Sequence, residues 1–180
     1  MNNLMVDIET LGTKPGAPVI SLAAVQFDLE TGETGEVFHM NINPGSLDEG
    51  GNIPDYNTLL WWVEGRSELL TNILKDGIDA RIVFTSFCNY ITETFKGINT
   101  FYVWGNSNRF DLGLLEYQLH LHDWETPWSF RNERDVRTLV HFAPEVKNNL
   151  PFEGTKHNPL YDCKHQIKYC SGIFNKLNIK

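Results

Sequence analysis

The chain has 180 residues with a formal net charge of −8, and 41% of them are hydrophobic and 12% aromatic. That length fits one domain spanning 1–180, and the apolar content excludes wholesale disorder. The longest apolar runs, such as Val19 to Val25, fall short of the ~18–20 residues of a membrane span, and no basic or apolar leader precedes the first strand-like run, so a soluble, cytoplasmic protein with no membrane partner is expected.

Asn3 to Ile8 reads as a short apolar strand and Pro18 to Phe27 as a longer buried one. A turn at Asp28–Gly32 leads into Glu36 to Ile42, whose alternation predicts a third strand, hairpin-paired with the second. Residues 43–54, rich in Gly, Pro and Asn, read as loop. Asp55 to Val63 and Ser67 to Leu74 read as two short helices broken at Gly65, and Ala80 to Lys96 as a helix ending at Gly97. A compact strand at Phe101–Trp104 is followed by a helix at Phe110 to Leu121. Trp128 to Phe130 reads as a last short strand, with a helix near Arg134 to Phe142 and a loop from Ala143 to Lys156. The final helix is capped by Asn158 with Pro159 in its first position, and Cys163, Ile167, Cys170, Phe174 and Leu177 form its core-facing stripe. Three antiparallel strands followed by helix–strand–helix units predict an α/β domain, a mixed sheet covered by helices.

Cys163 and Cys170, seven apart on one helix, lie about 10 Å from each other and cannot bridge, and no Cys/His spacing suggests structural zinc. The acidic charge argues against a nucleic-acid binder until it is divided along the chain. The first sixty residues hold nine acids and one base, Lys14, whereas residues 131–180 hold nine bases and five acids. The acidic front and basic tail mean that the mean charge hides an asymmetry, which a cation site built from carboxylates would sharpen.

Asp7 and Glu9 lie at the end of the first strand in Met5-Val-Asp-Ile-Glu-Thr-Leu-Gly12. Strand alternation puts both carboxylates on one face, roughly 6.6 Å apart along the chain, where hard oxygen ligands suit magnesium or manganese. Asp111 opens a helix three residues after Asn108, an arrangement that is also a cap. Asp162 stands in the first turn of the last helix, where an acid favours the dipole in any case, and His157 precedes it by five residues.

Taken in order, the Asp-x-Glu strand, Asp111 in Asn108-Arg-Phe-Asp111 and His157-x-x-x-x-Asp162 resemble the DEDDh family of 3′–5′ exonucleases, which have a ribonuclease H-like fold. Leu60-Trp61-Trp62, Arg131-Asn-Glu-Arg-Asp-Val-Arg-Thr138 and His157-Asn-Pro-Leu-Tyr-Asp-Cys163 look like the exodeoxyribonuclease A group of T-even phages and the mycobacterial-type 3′–5′ exoribonuclease domain. The resemblance runs from Val6 to about Phe174. It implies two divalent cations, Mg²⁺ or Mn²⁺, with Asp7 bridging both, Glu9 and Asp162 holding the one that activates water, and Asp111 supporting the second. His157 would take the proton from the attacking water. A tyrosine subclass would need Tyr at position 158, which is Asn158.

The same resemblance implies that Leu11 packs on the terminal base, with Thr10 and Gly12 offering backbone contacts. Trp61 or Trp62 would supply a stacking surface, only one of the pair facing substrate. Asn106 and Phe110 are further expected contacts, and Arg131, Arg134, Arg137, Lys156 and Lys164 are candidates for phosphate. Ser107 stands where the family often has Asn, with Asn106 one residue earlier, and Asp135 reads as structural.

The expected activity is hydrolysis from the 3′ end of single-stranded, 3′-overhanging or frayed nucleic acid, DNA slightly before RNA, releasing nucleoside 5′-monophosphates. A catalytically silent binder on the same fold is the alternative, disfavoured because a binder has no need of mutually repelling acids. An endonuclease or strand-transfer enzyme of the broader ribonuclease H-like group is a third reading, disfavoured by His-x-x-x-x-Asp. Aromatic richness permits a homodimer interface without requiring one.

Overall fold

The strand β1 (Asn3–Thr10) is buried on both faces, and the sheet is assembled around it. Leu4, Val6 and Ile8 point to one side and Met5 to the other, into separate apolar clusters. A strand covered on both faces needs a nearly continuous apolar run, which is what its sequence has. β2 (Val19–Phe27) pairs antiparallel with β1, and β3 (Thr34–Asn41) pairs antiparallel with β2. On the other edge of β1, β4 (Tyr102–Gly105) and then β5 (Glu133–Asp135) add in parallel, giving the order β3-β2-β1-β4-β5. This computed structural model describes residues 1–178.

Between the antiparallel and parallel halves the chain forms α1 (Tyr56–Lys75) and α2 (Ala80–Thr94). Asp55 caps α1 by accepting the N–H groups of Asn57 and Thr58 at 2.8 and 3.1 Å. The break expected at Gly65 is present as a kink inside α1: Glu64 leaves helical geometry and Gly65 has φ +88°. The helix α3 (Asp111–Leu121) joins α2 on the Leu4/Val6/Ile8 face. Gln118 of α3 donates to the carbonyls of Ala17 and Gly51 at 2.9 and 2.7 Å, fixing two surface loops to the core.

The helix α4 (Val136–Phe142), the one-turn α5 (Pro144–Asn148) and α6 (Pro159–Lys176) follow β5. α6 starts as expected, with Asn158 accepting the N–H of Leu160 at 3.1 Å and Pro159 next. It lies on the Met5 face, where the Cys163 thiol is 3.6 Å from the Met5 carbonyl and 3.8 Å from that of Ala23. A small side chain is what allows so close an approach. Cys88, Cys163 and Cys170 are free and buried. Among the described residues no helix is long and apolar enough to cross a membrane.

Several sequence expectations shift. The last strand is Glu133–Asp135 and not Trp128–Phe130, which ends instead in a 3-10 turn over Phe130–Asn132. α4 begins two residues later than Arg134, because Asp135 caps it by accepting from the Thr138 N–H at 2.8 Å. The loop after α4 contains α5. The core stripe of α6 ends at Ile173; Leu177 is the exposed C-cap. Asn108 makes no side-chain cap on α3.

At Gly65 an added Cβ would meet nothing within 4 Å, so the left-handed backbone alone opposes substitution. Gly65→Ala is expected to cost about 1–2 kcal/mol, read as a lower urea midpoint at unchanged slope; no midpoint shift would mean that the kink is not held.

Candidate active site

Strand alternation and a helix start bring the acids together. Carboxylate oxygens of Asp7 and Glu9, from the end of β1, lie within 4.8 Å of one another and of one from Asp162, in the first turn of α6. Asp111 opens α3 beside them, almost fully buried. It stands outside that 4.8 Å trio but close enough for its charge to act on both Asp7 and Glu9. Gly105, ending β4, makes room for it: a Cβ there would come 3.1 Å from the Asp111 Cβ. Gln166, one turn beyond Asp162, donates to Asp7 Oδ1 at 2.7 Å.

Burial, then the charges of Asp111, Glu9 and Asp162, hold the Asp7 carboxyl well above its ordinary range, against the Gln166 hydrogen bond. Burial and the charges of Asp162 and Asp111 do the same to Glu9, with Arg66 opposing. Burial pushes Asp111 up to about 7 and Asp162 up to about 6. Asp111 Oδ2 and Asp162 Oδ2 are buried without a hydrogen-bond partner. Orphaned buried oxygens in an all-carboxylate cluster are costly in protein alone. They match the donor set of a hard divalent cation.

His157 precedes α6 with φ +62°, a left-handed backbone that costs a non-glycine residue about 1 kcal/mol or more. Its backbone N–H faces the Asp162 carboxylate and opposes the rise of that group's pKa. Its ring meets that of Trp61 edge-to-face at 4.9 Å. Burial, with the Arg66 and Lys156 cations nearby, holds the imidazole below its usual value, so it is neutral near pH 7 and able to accept a proton.

Beside the acids opens a cleft of about 440 Å³ with Ile8, Glu9, Thr10, Asp55, Trp61 and Phe110 among its walls. The two tryptophans divide: Trp61 is 37% exposed, whereas Trp62 is fully buried and donates its indole N–H to the Thr10 carbonyl at 2.9 Å. Trp62 therefore supports the wall and has no face free for stacking. Leu11 turns inward, packed with Ile20, Trp62 and Ile73, and not toward the open cleft. The hydroxyl of Thr10 donates to the Gly12 carbonyl at 2.6 Å, and a Cβ on Gly12 would strike that of Ala17 at 2.9 Å. The Asn106 carbonyl accepts from Arg137 Nε at 3.0 Å.

Arg134 is not brought to the acids: it lies over the Tyr102 ring at 4.3 Å, in a separate groove with Asn2, Asp28 and Leu139. Asp135 caps α4 and accepts the Asn108 N–H at 3.0 Å, both structural duties. Gly105, Gln166 and Arg66 went unremarked in the sequence. Gln166 could have been found from its i+4 spacing to Asp162; Arg66, held at the α1 kink over Trp61 at 3.8 Å, has no comparable signal.

Carboxyls that titrate late hold protons that an unfolded chain has already released, so this cluster stabilises the cation-free fold least once pH has risen through the folded values. In EDTA, Asp111→Asn is expected to raise Tm relative to the unsubstituted protein, with the gap widening from pH 5 to pH 7.5. Added Mn²⁺ should raise the Tm of the unsubstituted protein more at pH 7.5 than at pH 5. A gap that closes as pH rises would contradict this electrostatic account.

Residues 2–174 match the family described as the 3′–5′ exoribonuclease Rv2179c-like domain. No curated protein matches the chain. In structure it is similar to the nuclease domain of 3′hExo, a DEDDh family member bound to rAMP, at TM-score 0.70 and 11% identity over 97% of this chain and 92% of that one. A zinc-bound E. coli ExoI–ssDNA complex gives 0.69 at 18% identity, covering 98% of this chain and 41% of that one. Cell-death related nuclease 4 gives 0.65 at 15% identity over 97% of this chain and 64% of that one, so the chain spans less than two thirds of these last two. The mixed five-stranded sheet flanked by helices is thus the DEDDh exonuclease arrangement of the ribonuclease H-like fold. With the family match running from the first strand into the last helix, the chain belongs to the Rv2179c-like 3′–5′ exoribonuclease domain family and is a 3′–5′ exonuclease.

Proposed function

We propose that residues 1–180 form one exonuclease domain that binds the 3′ end of single-stranded or frayed nucleic acid and hydrolyses its last phosphodiester, releasing a nucleoside 5′-monophosphate. The observation that carries this reading is the convergence of Asp7, Glu9 and Asp162 within 4.8 Å beside His157. DEDDh exonucleases depend on divalent metal, and Asp7, Glu9 and Asp162, with Asp111 behind them, are the residues that would hold two Mg²⁺ or Mn²⁺ ions here. When bound, such ions lower the pKa of water and offset charge on the phosphate.

The chain's own groups supply the rest. His157 Nε2 or Nδ1, neutral at working pH, takes the proton as water attacks phosphorus and the bond to the 3′ oxygen of the preceding nucleotide breaks. Trp61 and Phe110 flank the base. Trp62, through Thr10, keeps the wall and the end of β1 in register. Gln166 holds one Asp7 oxygen and leaves the other free.

The family's description as an exoribonuclease favours RNA over the DNA preferred from sequence. Three buried free thiols support a reducing compartment such as the cytoplasm.

With 5′-labelled single-stranded RNA and DNA, Mg²⁺ or Mn²⁺ is expected to give a ladder shortening from the 3′ end, abolished by EDTA and by Asp7→Asn. His157→Ala should lower kcat by about 10²–10⁴-fold, and Trp61→Ala should raise KM by about 5–150-fold, the worth of one stacked base. Strands left intact under every metal condition while still bound would replace hydrolysis by the silent-binder reading.

A further inference from the structure

A strand of phosphodiesters approaching this cleft meets Glu9 and Asp55 in its lining and Asp7, Asp111 and Asp162 beside it. Something adjacent must hold the backbone against that repulsion. Of five grooves on the described surface, four contain carboxylates. These are the cleft itself, the groove of Asp28 and Glu30 near Arg134, the α6 groove of Glu33 and Glu153, and the groove of Glu64 and Glu68 at the α1 kink. In the last two, Lys168 and Arg66 are also engaged, while Lys164 and Lys156 share their grooves with those acids. Lys168 pairs with Glu153 at 2.7 Å, and Arg66 donates to the Trp61 and Glu64 carbonyls at 3.0 and 3.2 Å while stacked on Trp61.

The fifth groove, about 370 Å³, shares the Phe110 wall with the cleft and is lined by Lys14, Pro15, Ser107, Arg109 and Leu114, with no acid. Lys14 is the one base in the first sixty residues. Lys14 and Arg109 are exposed, and among the described residues neither side chain makes a hydrogen bond or ion pair. Both project from fastened loops. The Lys14 carbonyl accepts from Ala17 at 2.9 Å, and Gly16 is tied to Ile53 at 2.8 Å. The Arg109 turn is closed by the N–H groups of Phe110 and Asp111 on the Ser107 carbonyl, with Ser107 at φ +126°.

We propose that Lys14 and Arg109 form a strand-binding subsite. A single strand whose 3′-terminal nucleotide occupies the cleft crosses Phe110 and lays its next 5′-ward phosphates against these two cations. The assignment rests on the exonuclease reading above for which end of the strand enters the cleft. It gives Phe110 two neighbours, the terminal base on one side and the backbone on the other.

The test compares a single strand of about 20 nucleotides with a 5′-hydroxyl dinucleotide, whose one phosphodiester is the bond cleaved. For the Lys14→Ala/Arg109→Ala double variant, kcat/KM on the long strand should fall about 10-fold, and the slope of log kcat/KM against log salt should flatten by about 1.4, two contacts at ~0.7 each. Dinucleotide cleavage should stay within about twofold of the unsubstituted protein. An unchanged salt slope, or an equal loss on the dinucleotide, would overturn the subsite. If the unsubstituted protein cleaves neither substrate, the exonuclease reading fails separately. Anisotropy of the labelled long strand in EDTA then decides the subsite: a flatter salt slope of Kd in the variant supports it, and an equal slope overturns it.

Discussion

Mutual repulsion among carboxylates at the end of β1 is the constraint around which the rest of the molecule is arranged. Asp7 and Glu9 cannot retreat from each other, because β1 is the central strand and this end of it stays paired with β2 as far as Thr10. Asp162 and Asp111 are brought in by helices whose own starts are fixed, α6 by the Asn158 cap and α3 by the turn on Ser107. The apolar clusters on either side of β1 supply the energy that keeps the charges assembled. The cluster is a stored electrostatic strain that a divalent cation would relieve.

The acidic net charge is therefore misleading as a guide to partners. Charge in this chain is organised by position: carboxylates concentrate where a cation is needed, and cations are set at the margins. Burial, helped by the Arg66 and Lys156 charges, keeps the His157 imidazole neutral, whereas Lys14 and Arg109 lie beyond Phe110. A mean over the sequence hides that geometry.

Much of the fold is legible in the sequence because its signals are local. The apolar run of β2, the Gly65 break and the Asn158–Pro159 helix start depend on a few neighbouring residues each. β5 is illegible for the opposite reason: Glu133-Arg134-Asp135 has no apolar alternation, and only pairing with β4 and the cap on α4 make it a strand. The site divides in the same way. The meeting of Asp7 with Glu9 follows from strand alternation, and the place of Asp162 from the helix start. The inward turn of Leu11, the burial of Trp62 and the departure of Arg134 to Tyr102 are tertiary outcomes. So is the space that Gly105 leaves for Asp111.

The Cys163 thiol, wedged against the carbonyls of Met5 and Ala23, carries a consequence for the spacing of the acids. Asp162 is its chain neighbour, and the gap between α6 and the sheet is also the gap between the acids of the helix and those of the strand. A thiol is a thin shim at that interface. A bulkier side chain would lift the helix and widen the bite of the acids without altering any of them. The spacing that these acids offer a cation is thus a property of helix-to-sheet packing, set in part by a buried thiol that is not one of them.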